Sequence, residues 1–146
     1  IKILNDEICE TTTRGMFVTM IVGVYDKNKN ELLLSNAGHE PPLIFSKEGN
    51  FKTIDEAGPP LGIAPNFKFT EQTISFKESS MYIFTDGITE MKNSNGEMLG
   101  QEGFQDYIKK YQSTPNNKRL QKMIEDLIGS GRIQKDDLTI VTVDGK

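Results

Sequence analysis

Hydrophobic positions change their period part-way along the chain. Residues 17–25 carry Phe17, Val18, Ile21, Val22, Val24 and Tyr25 in a β-rich run that predicts a strand. Asp26-Lys27-Asn28-Lys29-Asn30 is a polar turn and residues 31–35 return, so the two runs predict a hairpin. Asn36-Ala37-Gly38-His39-Glu40-Pro41-Pro42 is a tight corner marked by glycine and proline. Residues 43–45 and 51–54 predict short strands around a Lys47-Glu48-Gly49-Asn50 turn, and Gly58-Pro59-Pro60-Leu61-Gly62 is a stiff loop. Phe67, Phe69, Ile74 and Phe76 mark a less regular strand region. Met81-Tyr82-Ile83-Phe84 is a buried-type strand that runs into Asp86-Gly87.

Downstream of the Asn93-Ser94-Asn95-Gly96 turn the spacing becomes helical. Residues 101–111 and 116–128 each predict a helix, the second with Leu120, Ile124, Leu127 and Ile128 as its apolar face. Gly129-Ser130-Gly131 ends it, and Asp136-Asp137 opens a last strand over residues 138–143. At the other end, Ile1, Leu4 and Ile8 share a helical face with no capping residue ahead of them, which predicts the tail of a helix, with a break over residues 11–15. No repeat, low-complexity tract or linker interrupts the chain. The pattern predicts one α+β domain over residues 1–146, strand-rich first and helical late.

Composition narrows the classes. A chain of 146 residues is long enough to bury a core without disulfides or structural metal. With 36% hydrophobic and 26% charged residues and a mean hydropathy of −0.46, it reads as soluble and globular. A net charge of −4 argues against a nucleic-acid partner. No apolar run approaches the ~20 residues that span a bilayer, and the first residues are no signal peptide, so no membrane contact is expected. Cys9 and His39 are the only residues of their kinds, which excludes a disulfide framework and a Cys/His zinc site. A lone cysteine is compatible with a reducing cytoplasm, the expected compartment.

Any metal chemistry therefore falls to oxygen ligands. Asp86 stands at the end of one apolar strand, and Asp136 and Asp137 at the start of another. If those strands are antiparallel neighbours, both acidic sites share one edge, a donor set suited to Mg²⁺ or Mn²⁺. Gly87 allows close backbone approach there. The plainer reading is that Asp-Gly and Asp-Asp simply end strands and cap turns. His39 reads as a residue pinning its own corner before it reads as a phosphate contact, and Glu90 as a solvated or capping residue. Cys9 reads as a half-buried helix residue. Lys109, Lys110, Lys118, Arg119 and Lys122 read as the solvated face of the helical region, and the six methionines as core filling.

Six segments in order carry a resemblance: residues 17–20, 36–42, 58–62, 84–90, 96–100 and 136–139. Together they closely resemble the SpoIIE/RsbU-type branch of the metal-dependent (PPM) serine/threonine protein phosphatases, over essentially the whole chain. The resemblance implies an antiparallel β-sandwich flanked by helices in α-β-β-α layers. It implies hydrolysis of phosphoserine or phosphothreonine by a water activated at a two-metal Mn²⁺ or Mg²⁺ centre. Asp86 then matches the metal ligand of the family's second Asp-Gly motif, and Asp136 the ligand opening the final motif, with Gly87 and Asp137 beside them. Asp86 and Asp136 are the expected catalytic residues. A phosphorylated protein such as an anti-sigma-factor antagonist is the implied substrate, with sensor or receiver domains upstream.

One departure matters. The family's first metal motif, of Gly-Asp-Val-Ser-Gly-His-Gly type, is not found in this sequence. The expectation is an N-terminally truncated, C-terminal part of the domain that binds metal weakly or not at all, has little activity, and associates as a homodimer. The alternative is a non-catalytic interaction or self-association module.

Overall fold

The computed structural model describes residues 1–12, 15–54 and 57–145. Its elements, in chain order, are α1 (Lys2–Thr11), β1 (Met20–Asp26), β2 (Glu31–Ala37), β3 (Leu43–Ser46), β4 (Phe51–Thr53), β5 (Gln72–Ser75), β6 (Ser79–Phe84), α2 (Asp86–Thr89), α3 (Gly100–Lys110), α4 (Asn116–Gly129) and β7 (Ile140–Asp144). The strands form a sheet ordered β1-β2-β5 and another ordered β4-β3-β6-β7. The class is α+β with antiparallel pairing, as the pattern predicts. Two compact units divide the chain. The first takes Ile1–Pro41, Thr53–Ser79 and the end of the chain from Gly145; the second takes Pro42–Lys52 and Ser80–Asp144.

In the first unit, β1 and β2 form the predicted hairpin, with Met20 opposite Ala37 and Asp26 opposite Glu31. The Asp26 carboxylate accepts the N–H groups of Asn28 and Lys29 and so shapes the turn. The first strand begins at Met20 rather than Phe17. Val18 instead exchanges both backbone hydrogen bonds with Leu61, at 3.0 and 2.8 Å. On the other side of β2, Leu32 lies opposite Ile74 of β5. Phe67 and Phe69 belong to no strand; they form an edge-to-face pair 5.0 Å apart in the loop before β5.

Helix α1 runs on to Thr11 and turns a different side inward than its apolar spacing predicts. Leu4 is 41% exposed, whereas Asn5 is fully buried. The Asn5 side chain donates to the Ala64 carbonyl at 2.9 Å and accepts the Gly62 N–H at 3.1 Å, so a loop with no regular partner fixes the helix. The break begins at Thr12; Thr13 and Arg14 lie outside the described residues. At the corner, the Asn36 side chain both donates to the His39 carbonyl and accepts the His39 N–H, each at 2.9 Å. Gly38 has φ +70°, and a Cβ there would lie 2.6 Å from Pro60. Two of the proline- and glycine-marked segments thus interlock.

The second unit is organised around an apolar core. Tyr82 and Phe84 of β6 meet Phe104 of α3 edge-on, at 6.4 and 4.8 Å, and Ile108, Met123 and Leu127 complete the cluster. Phe104 and Ile108 lie four apart on α3, one stripe of its surface. On α4 the buried stripe is Arg119, Met123 and Leu127 rather than the predicted Leu120, Ile124, Leu127 and Ile128. Arg119 turns the helix: it pairs with Asp144, and its guanidinium lies 5.7 Å from the centre of the Tyr82 ring. Ser80 donates to the same Asp144 carboxylate at 2.5 Å.

Candidate metal centre

Strands β6 and β7 are antiparallel neighbours, with Met81 opposite Val143 and Phe84 opposite Ile140. The end of one strand therefore adjoins the start of the other. Beyond this last pair the ladder is continued by Thr85: its N–H donates to the Thr139 carbonyl at 3.1 Å, while its hydroxyl accepts the Thr139 N–H at 3.1 Å and donates to the Asp137 carbonyl at 3.0 Å. These bonds hold residues 137–139 off the strand path, which is why β7 begins at Ile140 and not at Leu138.

Asp86 follows at once, as the first residue of the one-turn helix α2 rather than the last of a strand. The Asp86 carbonyl accepts the Glu90 N–H at 2.9 Å, and the Thr85 carbonyl accepts that of Ile88 at 3.1 Å. Gly87 is buried against the other acidic segment. A Cβ on Gly87 would lie 2.5 Å from the Asp137 carbonyl oxygen and 3.4 Å from the carbonyl carbon of Asp136. Only glycine lets these two backbones come so close.

The result is an exposed acidic edge built from Asp86, Asp136 and Asp137. Asp136 accepts the Asp137 N–H on Oδ1 at 2.7 Å, and the Gln134 side chain donates to the Asp136 carbonyl at 2.9 Å. The Asp86 and Asp137 carboxylates have no hydrogen-bond or ion-pair partner among the described residues, which leaves their lone pairs available to a ligand. A polar cavity of about 300 Å³ is lined by Gln134, Lys135, Asp136 and Asp137. All-oxygen donors on a water-accessible edge fit a hard divalent cation that keeps part of its hydration shell. Among the described residues, no group of three or more His, Cys, Asp and Glu is close enough together to hold a metal alone.

Sequence reasoning gave no role to Thr85 or Gln134. A hydroxyl directly before the strand-end aspartate was the available signal for Thr85; Gln134 carried none. The remaining candidates stand apart from this edge in their bonding. His39 meets Thr19 at 3.3 Å through Nδ1 and is otherwise tied into its own corner. Glu90 is exposed, and Cys9 is half-buried on α1, its thiol 3.9 Å from the Asn5 side chain. The basic residues are not one solvated face. Lys110 pairs with Asp126 at 2.5 Å and Lys109 with Asp106 at 3.7 Å, while Arg119 is buried.

Comparison with known proteins decides the family. The profile of Stage II sporulation protein E (SpoIIE) matches residues 1–146. The chain belongs to the SpoIIE family. It is 32% identical over 147 residues to protein IcfG of Synechocystis, covering 98% of this chain and 23% of that protein. It is 26% identical over 146 residues to the phosphoserine phosphatase RsbU of Bacillus subtilis, covering 98% and 43%. The chain thus spans less than half the length of either relative. A crystal structure of RsbU and RsbW domains from Mycobacterium tuberculosis superposes with TM-score 0.75 at 23% identity, over 94% of this chain and 38% of that one. The phosphatase domain of SpoIIE from Bacillus subtilis, presoaked with manganese, gives TM-score 0.68 at 17% identity, over 96% and 62%. These likenesses place the fold among the PPM phosphatase domains. By family the chain is a serine phosphatase domain of the SpoIIE/RsbU branch.

Proposed function

We propose that this chain carries the Asp86 and Asp136 side of a metal-dependent phosphoserine/phosphothreonine phosphatase centre. The observation that carries the reading is the close packing of Gly87 on residues 136–137, which brings two acidic segments, 50 residues apart in sequence, to one edge. Asp86 and Asp136 are the ligands and catalytic residues in this reading. The Asp137 carboxylate and the open backbone at Gly87 complete the cradle. When bound, a pair of Mn²⁺ or Mg²⁺ ions would supply the charge that lowers a water's pKa and neutralises the phosphate. The protein's part is to hold Asp86 and Asp136 in register through the Thr85 bonds and to leave the edge open to a phosphorylated side chain. No protein nucleophile is needed.

The wider reading treats residues 1–146 as a single domain, the C-terminal portion of a SpoIIE-like phosphatase domain, acting in the cytoplasm below sensor or receiver domains. Its substrate is a phosphorylated signalling protein such as an anti-sigma-factor antagonist, with no nucleic-acid or membrane contact by this domain, and it associates as a homodimer. No helix among the described residues is long and apolar enough to cross a membrane. The second reading is a non-catalytic interaction module. It is favoured by a described ligand set too small to hold a metal by itself.

Two measurements separate them. Calorimetric titration with Mn²⁺ should give binding that Asp86→Asn and Asp136→Asn each weaken. Hydrolysis of a phosphoserine peptide with Mn²⁺ should fall by about 100-fold or more in both variants. Because both carboxylates are exposed, the unfolding free energy should move by no more than about 0.5 kcal/mol. Unchanged metal binding and turnover in both variants would defeat the assignment.

A further inference from the structure

The turn of α4 leaves two isoleucines without a place in the core. Ile128 is 56% exposed and Ile124 half-buried, although both fall on the side of the helix that spacing marks as apolar. They line a groove of about 480 Å³ together with the buried Ile88 and Leu127 and with Leu138 and Ile140 of the segment entering β7. That is the size and lining of a site for an apolar group. Gln134 and Asp137 also line it, and the same two residues line the polar cavity beside Asp136. The apolar groove and the acidic edge are thus continuous.

We propose that this groove is the specificity subsite of the phosphatase centre, taking an apolar side chain of leucine size close in sequence to the substrate's phosphoserine. The inference rests on the phosphatase reading above. Successive residues of an extended chain advance by roughly 3.3–3.6 Å, so a peptide whose phosphoserine lies at the acidic edge carries its next few side chains past Asp137. The shared residues favour the substrate over any other occupant, because whatever fills the groove lies against the ligand-bearing segment. The substrate class is a phosphoprotein with an aliphatic residue flanking the phosphoserine.

The test uses phosphoserine peptides that differ only in leucine or glycine at the flanking positions, with the full chain and Mn²⁺. The leucine peptide should be preferred in kcat/KM by about tenfold or more. In Ile128→Ser the preference should collapse towards one through KM more than kcat, and Ile128→Leu should retain it. A wild-type chain indifferent to the leucine, or a preference unchanged in Ile128→Ser, would overturn the proposal. If neither peptide is hydrolysed, the phosphatase reading fails instead, and fluorescence anisotropy of the same labelled peptides decides the groove. Tighter binding of the leucine peptide, lost in Ile128→Ser, supports it; equal binding overturns it. A dimer by light scattering that Ile128→Ser dissociates, with the peptide preference intact, would give the groove to a second copy and likewise overturn it.

Discussion

The two units use the same device to opposite ends. In the first, Gly38 lies against Pro60 and locks the corner at residues 36–42 to the loop at residues 58–62. In the second, Gly87 lies against Asp137 and locks residues 84–90 to residues 136–139. Each is a pair of recognisable segments held together where no Cβ fits. The first pair presents no carboxylate and fixes a fold; the second ends in three exposed aspartates and builds a site. A shared sequence motif therefore says that two backbones meet, and only the side chains beyond the contact say whether chemistry follows.

Substituting the two glycines is the most direct way to break that comparison. Gly38→Ala meets two penalties, a positive φ and atoms of Pro60 at 2.6 Å, and should cost about 3 kcal/mol in urea unfolding. Its Mn²⁺ titration should match the parent's. Gly87→Ala meets the Asp137 carbonyl at 2.5 Å and should cost about 2 kcal/mol. By spreading the acidic segments, it should also weaken Mn²⁺ binding by about tenfold, the scale for residues that orient ligands. If Gly38→Ala disturbs metal binding as much as Gly87→Ala, the division of labour between the two pairs is wrong.

The same contrast explains what the sequence made legible. The hairpin, the helices α3 and α4 and the β6–β7 strands follow from period and turn chemistry, because each buries a face of its own residues. The adjacency of Asp86 to Asp136 followed from strand ends, once antiparallel pairing was assumed. Less legible were positions decided by a distant partner. Asn5 is buried because Ala64 and Gly62 meet its amide, and Arg119 because Asp144 and Tyr82 receive its guanidinium. Val18 leaves the first strand for Leu61, and Thr85 shortens the last one by holding Thr139. Hydrophobic spacing carries no record of such bonds. The groove beside Asp137 was hidden for the same reason, since it exists only because Arg119 turns α4.

Tyr82 sharpens the comparison at its smallest scale, because the apolar core of the second unit contains one polar atom with nothing to bond. The ring is fully buried, and its hydroxyl has no hydrogen-bond partner among the described residues. Burial pushes the phenol above the usual value of 10.0, the nearby Arg119 charge pulls it down, and Asp144 raises it. A raised folded-state value means that above pH 10 the unfolded chain has released a proton that the folded chain still holds. Stability from Tyr82 is therefore complete below about pH 10 and is lost as pH rises through the folded value. Tyr82→Phe should remove that loss. Near pH 8 it should change stability by less than about 1 kcal/mol, since no hydrogen bond is given up and a desolvated hydroxyl is removed. Urea unfolding at about pH 8, 10 and 11 for the two proteins would read the difference, other tyrosines such as Tyr111 being common to both. Parallel loss of stability in parent and variant would mean that the folded chain ionises Tyr82 as readily as the unfolded one, and that the core is less dry than its packing indicates.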